Sequence, residues 1–500
     1  MAELQLKELE DLYDKKISEY FELARAFREE RNAHCSVTRN LPAEVLSTIF
    51  AWLASICKNE VQKHSHLRWM VVTHVCRVWR NVALKEPTLW TDFTDLHPNW
   101  VREMFARSMA APLILQYDQN INQSNPLDFV FQHVIESPER IKELEIYVKD
   151  DFVDLLVKPA PFLEDLFTDS GVELPPNFLA GVAPRLHSLT CSEDLPLEVP
   201  WLGNLTKLVY QGRLHPTATY LSKLTFLELD WDWVDEDSTV YNIDIILSAL
   251  ENMPLLQHLS LSLSSQVGDV FGSRSVPVHL PYLRDITVCF SRTTGVAAIF
   301  DYLQVNNIER LVTRWPPNQD LTMVTPVCHF FERYYHGDNL QYLLHSKKEV
   351  TFHRTHSNGA HTPVLTFRFL AQPPSLAGVV GLLPRCTPHV YAIHQDSFKI
   401  EPPPTLAACD TIEELHISFG YLHPNFFDPF DASTPPYPSL RRLYLHDLCF
   451  IHISEQVYKL KRWISASRIE HLTLTKCSLR EEDIAPLQEV VAVTVLADAT

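Results

Sequence analysis

Glycine is scarce in this chain, with 12 residues in 500. That leaves little material for loops that cradle phosphates, and neither G-x-x-x-x-G-K-[ST] nor G-x-G-x-x-G occurs. The motifs H-E-x-x-H and G-x-S-x-G are missing as well. The ten cysteines, at 35, 57, 76, 191, 289, 328, 386, 409, 449 and 477, form no C-x-x-C pair, which removes zinc-ribbon and thioredoxin-type readings. Positive charge is in deficit: Lys plus Arg number 43 against 62 Asp plus Glu, for a net charge of −19. Phosphate backbones and anionic membranes need clustered cations, so bulk acidity speaks against both as the main partner. The best candidate for a local basic patch is KLKRW (459–463). Long apolar runs are missing too. The nearest to membrane length, FLAQPPSLAGVVGLLP (369–384), is too short and carries a Gln and three prolines. The opening MAELQLKELEDLYDKK has no apolar core of a signal peptide. The expectation is a soluble intracellular chain, cytoplasmic and/or nuclear, with reduced thiols.

Two clusters invite a metal and lack the rest of a site. His345, His353, His356 and His361 contain one H-x-x-H, but no Cys or carboxylate stands at ligand spacing, and solvated or strand-facing histidines are the better reading. DWDWVDEDS (230–238) is acidic enough for calcium but lacks the central Gly and the closing Glu of an EF-hand loop. No enzyme signature is found, and neither cofactor nor metal is expected.

What is present is apolar surface. Hydrophobic residues make up 46% of the chain and charged ones 21%, enough for a large core. Residues 3 to 33 are rich in Glu, Lys, Leu and Ala and free of Pro and Gly, which predicts one helix. Its apolar residues at 6, 9, 13, 20, 23 and 27 form a seam that Lys16 interrupts. That is a short coiled coil or a helix packing on its own protein, with self-dimerisation the lesser reading.

Residues 41 onward read differently. LPAEVLSTIFAWL places Val45, Leu46, Ile49, Phe50 and Leu53 at helical spacing, predicting one apolar face. A second helix is predicted over 67–84, with Val72, Val75, Cys76 and Trp79 on one stripe, ended by Pro87. Helices this short and apolar cannot satisfy each other alone, so some of their surface must meet another domain or chain.

Beyond residue 110 a phrase recurs: an aliphatic, two mostly polar residues, Leu or Ile, often one more, then another aliphatic. It stands in IKELEIYV (141), FLEDLF (162), LHSLTC (186), LTKLVY (205), LTFLELD (224), LQHLSLSL (256), LRDITVCF (283), IERLVTRW (308), IEELHISF (412), LRRLYLHDL (440) and IEHLTLTKCSL (469). The spacing is roughly 19 to 32 residues in the continuous part, the period of leucine-rich repeats. Alternating aliphatics make a short strand with one inward face, and stacked neighbours share the core that none can bury alone. Ile469, Leu472, Leu474, Cys477 and Leu479 complete the L-x-x-L-x-L-x-x-N/C-x-L pattern. The stretch 315–405 fits worst and reads as degenerate repeats with longer loops, although EVTFHR, VLTFRFL and HVYAIH are plausible strands.

Leu41-Pro42, Glu44, Leu46, Ile49-Phe50 and Leu53, followed by Val75-Cys76, Trp79-Arg80, Ala83, Pro87 and Leu89-Trp90, together resemble an F-box. The leading helix and the trailing WVREMFARSMAAPLIL (100–115) resemble the F-box proteins abundant in mushroom-forming (basidiomycete) fungi, in which a W…RS…PL segment leads into irregular leucine-rich repeats. The segment between Leu53 and Leu67 is longer than in the compact F-box. The resemblance implies a half-core completed by the Skp-type adaptor of an SCF-type cullin–RING ubiquitin ligase, with Leu41, Pro42, Leu46, Ile49, Phe50, Leu53, Val75, Cys76, Trp79, Leu89 and Trp90 as adaptor-binding residues, about half of them facing the partner. It implies that the repeats bind the protein substrate. No Arg cluster is visible in the linear sequence, which gives phosphate recognition little support. The alternative is an adaptor-bound or free leucine-rich-repeat scaffold acting outside ubiquitination.

The expected architecture is thus α+β and multidomain. It comprises an N-terminal helix (1–36), an all-α F-box (37–95), a connecting segment (96–115) and an irregular α/β leucine-rich-repeat-like solenoid (116–500).

Overall fold

The computed structural model describes residues 2–35, 41–58, 65–94, 98–117, 138–147, 156–169, 171–175, 177–231, 243–263, 276–290, 299–315, 321–337, 340–345, 349–356, 360–369, 386–394, 411–422, 426–427 and 437–496, with a few isolated positions. The chain divides into two compact units, Met1–Arg185 and Leu186–Thr500.

In the first unit, α1 (Ala2–Cys35) is one uninterrupted helix, as its composition dictates. Leu12, Tyr13, Ile17, Tyr20, Phe21, Leu23 and Phe27 on it are all exposed. α2 (Ala43–Lys58) starts directly after Pro42, whose carbonyl accepts the N–H groups of Val45 (3.1 Å) and Leu46 (3.2 Å). The second predicted helix is in fact two pieces. Ser65–His74 is a 3-10 helix, and α3 (Arg77–Lys85) starts afresh after Cys76, whose Sγ accepts the N–H of Trp79 at 3.5 Å. The β-branched run Val71-Val72-Thr73 disfavours regular α-helix, and the 3-10 segment ends at His74, so Val75 lies outside it and the stripe expected through Val72, Val75, Cys76 and Trp79 is broken there. Val72 is buried while Val75 is exposed. A 3-10 turn (Pro87–Trp90) follows, and residues 91–93 run onto the edge of strand β1 (Leu113–Tyr117), with Phe93 N–H on the Ile114 carbonyl and Ile114 N–H on that of Thr91, both at 2.9 Å. Between them lies α4 (Pro98–Ser108); Arg140 closes its end by donating to Ser108 Oγ (2.9 Å) and the Ala111 carbonyl (3.0 Å). β1 pairs in parallel with β2 (Ile141–Ile146), and β2 with β3 (Asp165–Thr168).

The second unit is a stack of parallel strands. β4 (Ser188–Cys191), β5 (Lys207–Tyr210), β6 (Phe226–Asp230), β7 (His258–Leu263), β8 (Val278–Leu280), β9 (Asp285–Phe290), β10 (Leu303–Val305) and β11 (Arg310–Trp315) come first. β12 (Tyr342–His345), β13 (Glu349–Thr355), β14 (His361–Phe369), β15 (Val390–His394), β16 (Glu414–Leu422), β17 (Arg442–Phe450), β18 (His471–Thr475) and β19 (Ala492–Leu496) follow. β8 and β10 form a small pair of their own. The helices α5 (Ile243–Leu250), α6 (Leu321–Tyr334), α7 (Ile453–Ala466) and α8 (Glu481–Gln488) lie in the connections. Among the described residues no helix is long and apolar enough to cross a membrane.

Every recurrent phrase of the sequence lies on one of these strands, and its aliphatics are the core. Leu205, Leu224, Leu256, Leu283, Ile308 and Leu440 before the strands are fully buried, as are Leu208, Leu227, Ile286, Leu311 and Leu443 within them. A second device repeats with them. In the regular parts of the stack the carbonyl just after the leading aliphatic accepts two consecutive N–H groups of the next repeat. His187 O receives Thr206 (2.9 Å) and Lys207 (2.8 Å); Thr206 O receives Thr225 and Phe226; Thr225 O receives Gln257 and His258; Gln257 O receives Arg284 and Asp285. The same pattern recurs at His389, Glu413 and Arg441. The polar dipeptide inside each phrase therefore keeps its backbone groups satisfied where the chain bends into the strand.

The stretch 315–405 departs from the expected degenerate repeats. β11 pairs in parallel with β14 instead of β12, β13 runs antiparallel to both β12 and β14, and β12 pairs in parallel with β15. The spatial order is therefore β11-β14-β13-β12-β15: a three-stranded meander set backwards into the stack. Connection length explains it. Parallel neighbours need a crossover of a dozen or more residues, and the links 346–348 and 356–360 are far shorter.

Candidate docking surfaces

α2 carries two apolar stripes. Leu46, Phe50 and Cys57 are buried, with Leu53 partly so. Leu41, Val45, Ile49, Trp52 and Ile56, at steps of four, four, three and four, are exposed, Trp52 at 68%. The single face expected for Val45, Leu46, Ile49, Phe50 and Leu53 is thus split. Residues adjacent in sequence stand about 100° apart around a helix, and the burial divides along that line. Val71, Val75 and Val78, exposed at 60, 55 and 62%, add to the uncovered apolar surface of this segment.

The resemblance-derived residues divide the same way. Leu41, Pro42, Ile49 and Val75 are exposed. Leu53, Cys76 and Trp79 are half-buried, with the Trp79 ring 5.2 Å from that of Phe50. Leu46, Phe50, Leu89 and Trp90 belong to the unit's own core. Trp90 meets Trp69 edge-on at 5.1 Å, lies under the Arg107 guanidinium at 4.8 Å, and donates its indole N–H to the Ala83 carbonyl. The private core needs these four, leaving the exposed stripe free for a partner. Trp52, Ile56, Val71 and Val78 were not singled out from sequence, although Trp52 and Ile56 continue the i+3, i+4 progression from Ile49.

At the end of α2, Lys58 reaches Glu143 on β2 at 2.7 Å. Burial lowers the Lys58 pKa, but its hydrogen bond and charge contact with Glu143 outweigh that and leave it raised. Burial raises Glu145 next to it, and Tyr147, which donates to Glu145 across 3.1 Å, is pushed up to about 12 by burial and that carboxylate.

In the second unit the outward strand positions form cross-strand rows. Lys207, Phe226, His258, Asp285 and Arg310 are successive register partners from β5 to β11. Lys207 Nζ lies 5.5 Å from the Phe226 ring centroid, and His258 Nδ1 lies 2.8 Å from Asp285. Further along, Arg442 pairs with Glu414, and His416 stacks on Tyr444 at 4.2 Å. Burial lowers the His416 pKa, with His361 and Arg442 adding to it against the opposing pull of Glu414. Such side-by-side pairs stabilise neighbouring strands and present a mixed aromatic and charged face.

The other sequence candidates are accounted for locally. His356 Nε2 contacts Thr362 Oγ1 at 2.9 Å and His361 Nδ1 contacts Thr355 Oγ1 at 3.1 Å; no metal-binding cluster exists among the described residues. His345 lies on β12. In KLKRW, Lys459 pairs with Glu455, Lys461 with Glu489, and Trp463 is buried, so the run is no basic patch. Of DWDWVDEDS, Asp230 and Trp231 are described and 232–238 lie outside the described residues. Cys57, Cys76, Cys191, Cys289, Cys328, Cys386, Cys449 and Cys477 are free thiols; burial raises the pKa of Cys191, Cys386 and Cys328, the last to about 12, so these three are inert.

No family model matches the chain, and no curated protein matches it. Among solved structures it is similar to an internalin (inlF) from Listeria monocytogenes str. 4b F2365, at 12% identity, covering 74% of this chain and 93% of that one, with a TM-score of 0.28. A likeness that distant adds nothing to the strand register and hydrogen bonding above, on which the leucine-rich-repeat-like architecture rests.

Proposed function

We propose that this protein is a substrate-recognition subunit of a cullin–RING ubiquitin ligase: its F-box-like segment docks a Skp-type adaptor and its repeats hold the protein target. The observation that carries this reading is the double-striped α2, one apolar side spent on its own core and the other, Leu41 to Ile56, left uncovered. A partner that reads a helix through i, i+3 and i+4 anchors would complete it. The outward rows of aromatic and charged side chains on β5–β11 and β16–β18 suit recognition of a protein surface. The chain then acts as a tether, raising the local concentration of a target lysine near the ligase without chemistry of its own.

The test is reconstitution of the intact chain with purified Skp-type adaptor and cullin, beside Ile49→Asp and Trp52→Ala variants. Capture of both partners by the intact chain, and loss in the variants, is the expected result. Adaptor binding without cullin would move the reading to a scaffold acting outside ubiquitination. No adaptor binding at all would overturn it.

A further inference from the structure

The reversed meander brings together two arginines that lie far apart in sequence. Arg310 opens β11 and Arg354 lies near the end of β13. Both line a polar cleft of about 520 Å3, with Asn307, His336, Gly337, Thr362 and the acids Asp285 and Glu309. The cleft forms where the hydrogen-bond device of the stack is broken. Leu365 is the register partner of Leu311, so Pro363 stands where Glu309 stands one strand earlier, and a proline has no N–H to donate.

The charges in the cleft are unequal in their commitments. Asp285 is held by His258 at 2.8 Å and Glu309 by Arg284 at 2.9 Å. Arg310 and Arg354 have no carboxylate partner among the described residues, and the buried Nε of Arg354 has no hydrogen-bond acceptor there. Asn307 uses its carboxamide oxygen to accept the His336 N–H (3.2 Å), which leaves its NH2 as a donor toward the cleft. Gly337 lines the cleft, and the Tyr335 ring directly beside it leaves no room for a side chain there. Two uncommitted guanidinium forks, one with a buried donor left over, and an amide donor make up the donor set that a tetrahedral dianion requires.

We propose that this cleft binds a phosphate monoester, with Arg310 and Arg354 as its two cationic donors. The proposal goes beyond the adaptor reading and does not depend on it. The chemistry is shared by a phosphorylated side chain of a partner protein and by a free phosphorylated small molecule.

The experiment is calorimetric titration of the full chain with inorganic phosphate and O-phosphoserine, alongside Arg310→Gln, Arg354→Gln and Arg442→Gln. Saturable binding is expected in the intact chain, weakened about tenfold or more in the first two variants. It should be unchanged in Arg442→Gln, whose guanidinium is already paired with Glu414. Because the Arg310 side chain is exposed, its variant should keep the thermal midpoint of the intact chain and carries the test if Arg354→Gln fails to fold. A phosphoserine peptide binding more tightly than O-phosphoserine assigns the site to a protein partner, and equal binding assigns it to a small molecule. Absence of saturable phosphate binding, full affinity in both cleft variants, or an equal loss in Arg442→Gln would each overturn the proposal.

Discussion

Trp90 donates its indole N–H to the carbonyl of Ala83 across 2.9 Å, tying the 3-10 turn Pro87–Trp90 back onto α3. Trp90 is 3% exposed, whereas Trp52, on the uncovered stripe of α2, is 68% exposed. The two tryptophans should therefore fail in different ways. Trp90→Ala removes a packed ring and its hydrogen bond and should cost about 3–5 kcal/mol in urea unfolding. Trp52→Ala should change stability by no more than about 0.5 kcal/mol while weakening adaptor capture. A strongly destabilised Trp52→Ala would mean that the stripe is covered by the protein itself.

Gly212 and Gly337 each sit against a tyrosine. A Cβ on Gly212 would come within 2.8 Å of the Tyr210 ring, and one on Gly337 would run into the Tyr335 hydroxyl. Both rings are buried; Tyr210 Oη donates to the Arg213 carbonyl and accepts the Leu195 N–H, while Tyr335 stacks on Phe331 at 4.8 Å. Gly212→Ala and Gly337→Ala should each cost about 1–3 kcal/mol through overpacking, read as a drop in the urea midpoint.

His353 supplies a pH dependence. Burial, with the neighbouring His361 adding to it and Glu349 opposing, holds its pKa at about 4, below the ordinary 6.5. The unfolded chain thus takes up a proton on this residue before the folded chain does. Its contribution is fully present above pH 6.5 and is lost as pH falls from 6.5 through 4. The midpoint of urea unfolding should fall over that window, and less steeply in His353→Gln. Identical slopes would show that His353 is not the group responsible.

The paired N–H groups at the start of each strand predict an asymmetry between two proline positions. Thr225→Pro removes the donor to the Thr206 carbonyl (2.8 Å) and should destabilise by about 1–3 kcal/mol. Pro363→Ala, at the corresponding place on β14, loses no donor and should leave the unfolding midpoint nearly unchanged. Similar losses at both would remove the hydrogen-bond device as the reason.

Legibility from sequence followed the range of the interactions. The phrase read from LTKLVY to IEHLTLTKCSL marked the strands because burial inside one repeat is a local demand. The helix at 3–33 was equally plain from propensity. The break at Val75-Cys76 was missed because the apolar pattern continues across it, and only the β-branched run hints at a change of helix type. The meander had a signal that went unread: Asn358-Gly359, a hairpin dipeptide, between two alternating apolar runs. Without that hairpin, Arg310 and Arg354 are merely distant cations, and no linear pattern joins them. On α2 the apolar residues were all visible, but which edge stays uncovered depends on the neighbours that claim Leu46 and Phe50.

The backward-set meander also bears on how the second unit is assembled. A regular repeat array can grow outward from any nucleus, each strand laid on the one just made. Here that succession stops at β11, whose next neighbour is β14: the Thr313 hydroxyl bonds to the Thr366 carbonyl. The intervening segment must be spanned before the sheet can extend, a longer loop closure than any between neighbouring strands of the two flanking runs. The pairings that join β4–β11 to β15–β19 across the meander, β11 with β14 and β12 with β15, therefore span the largest sequence separations among the described parallel pairs of the second unit.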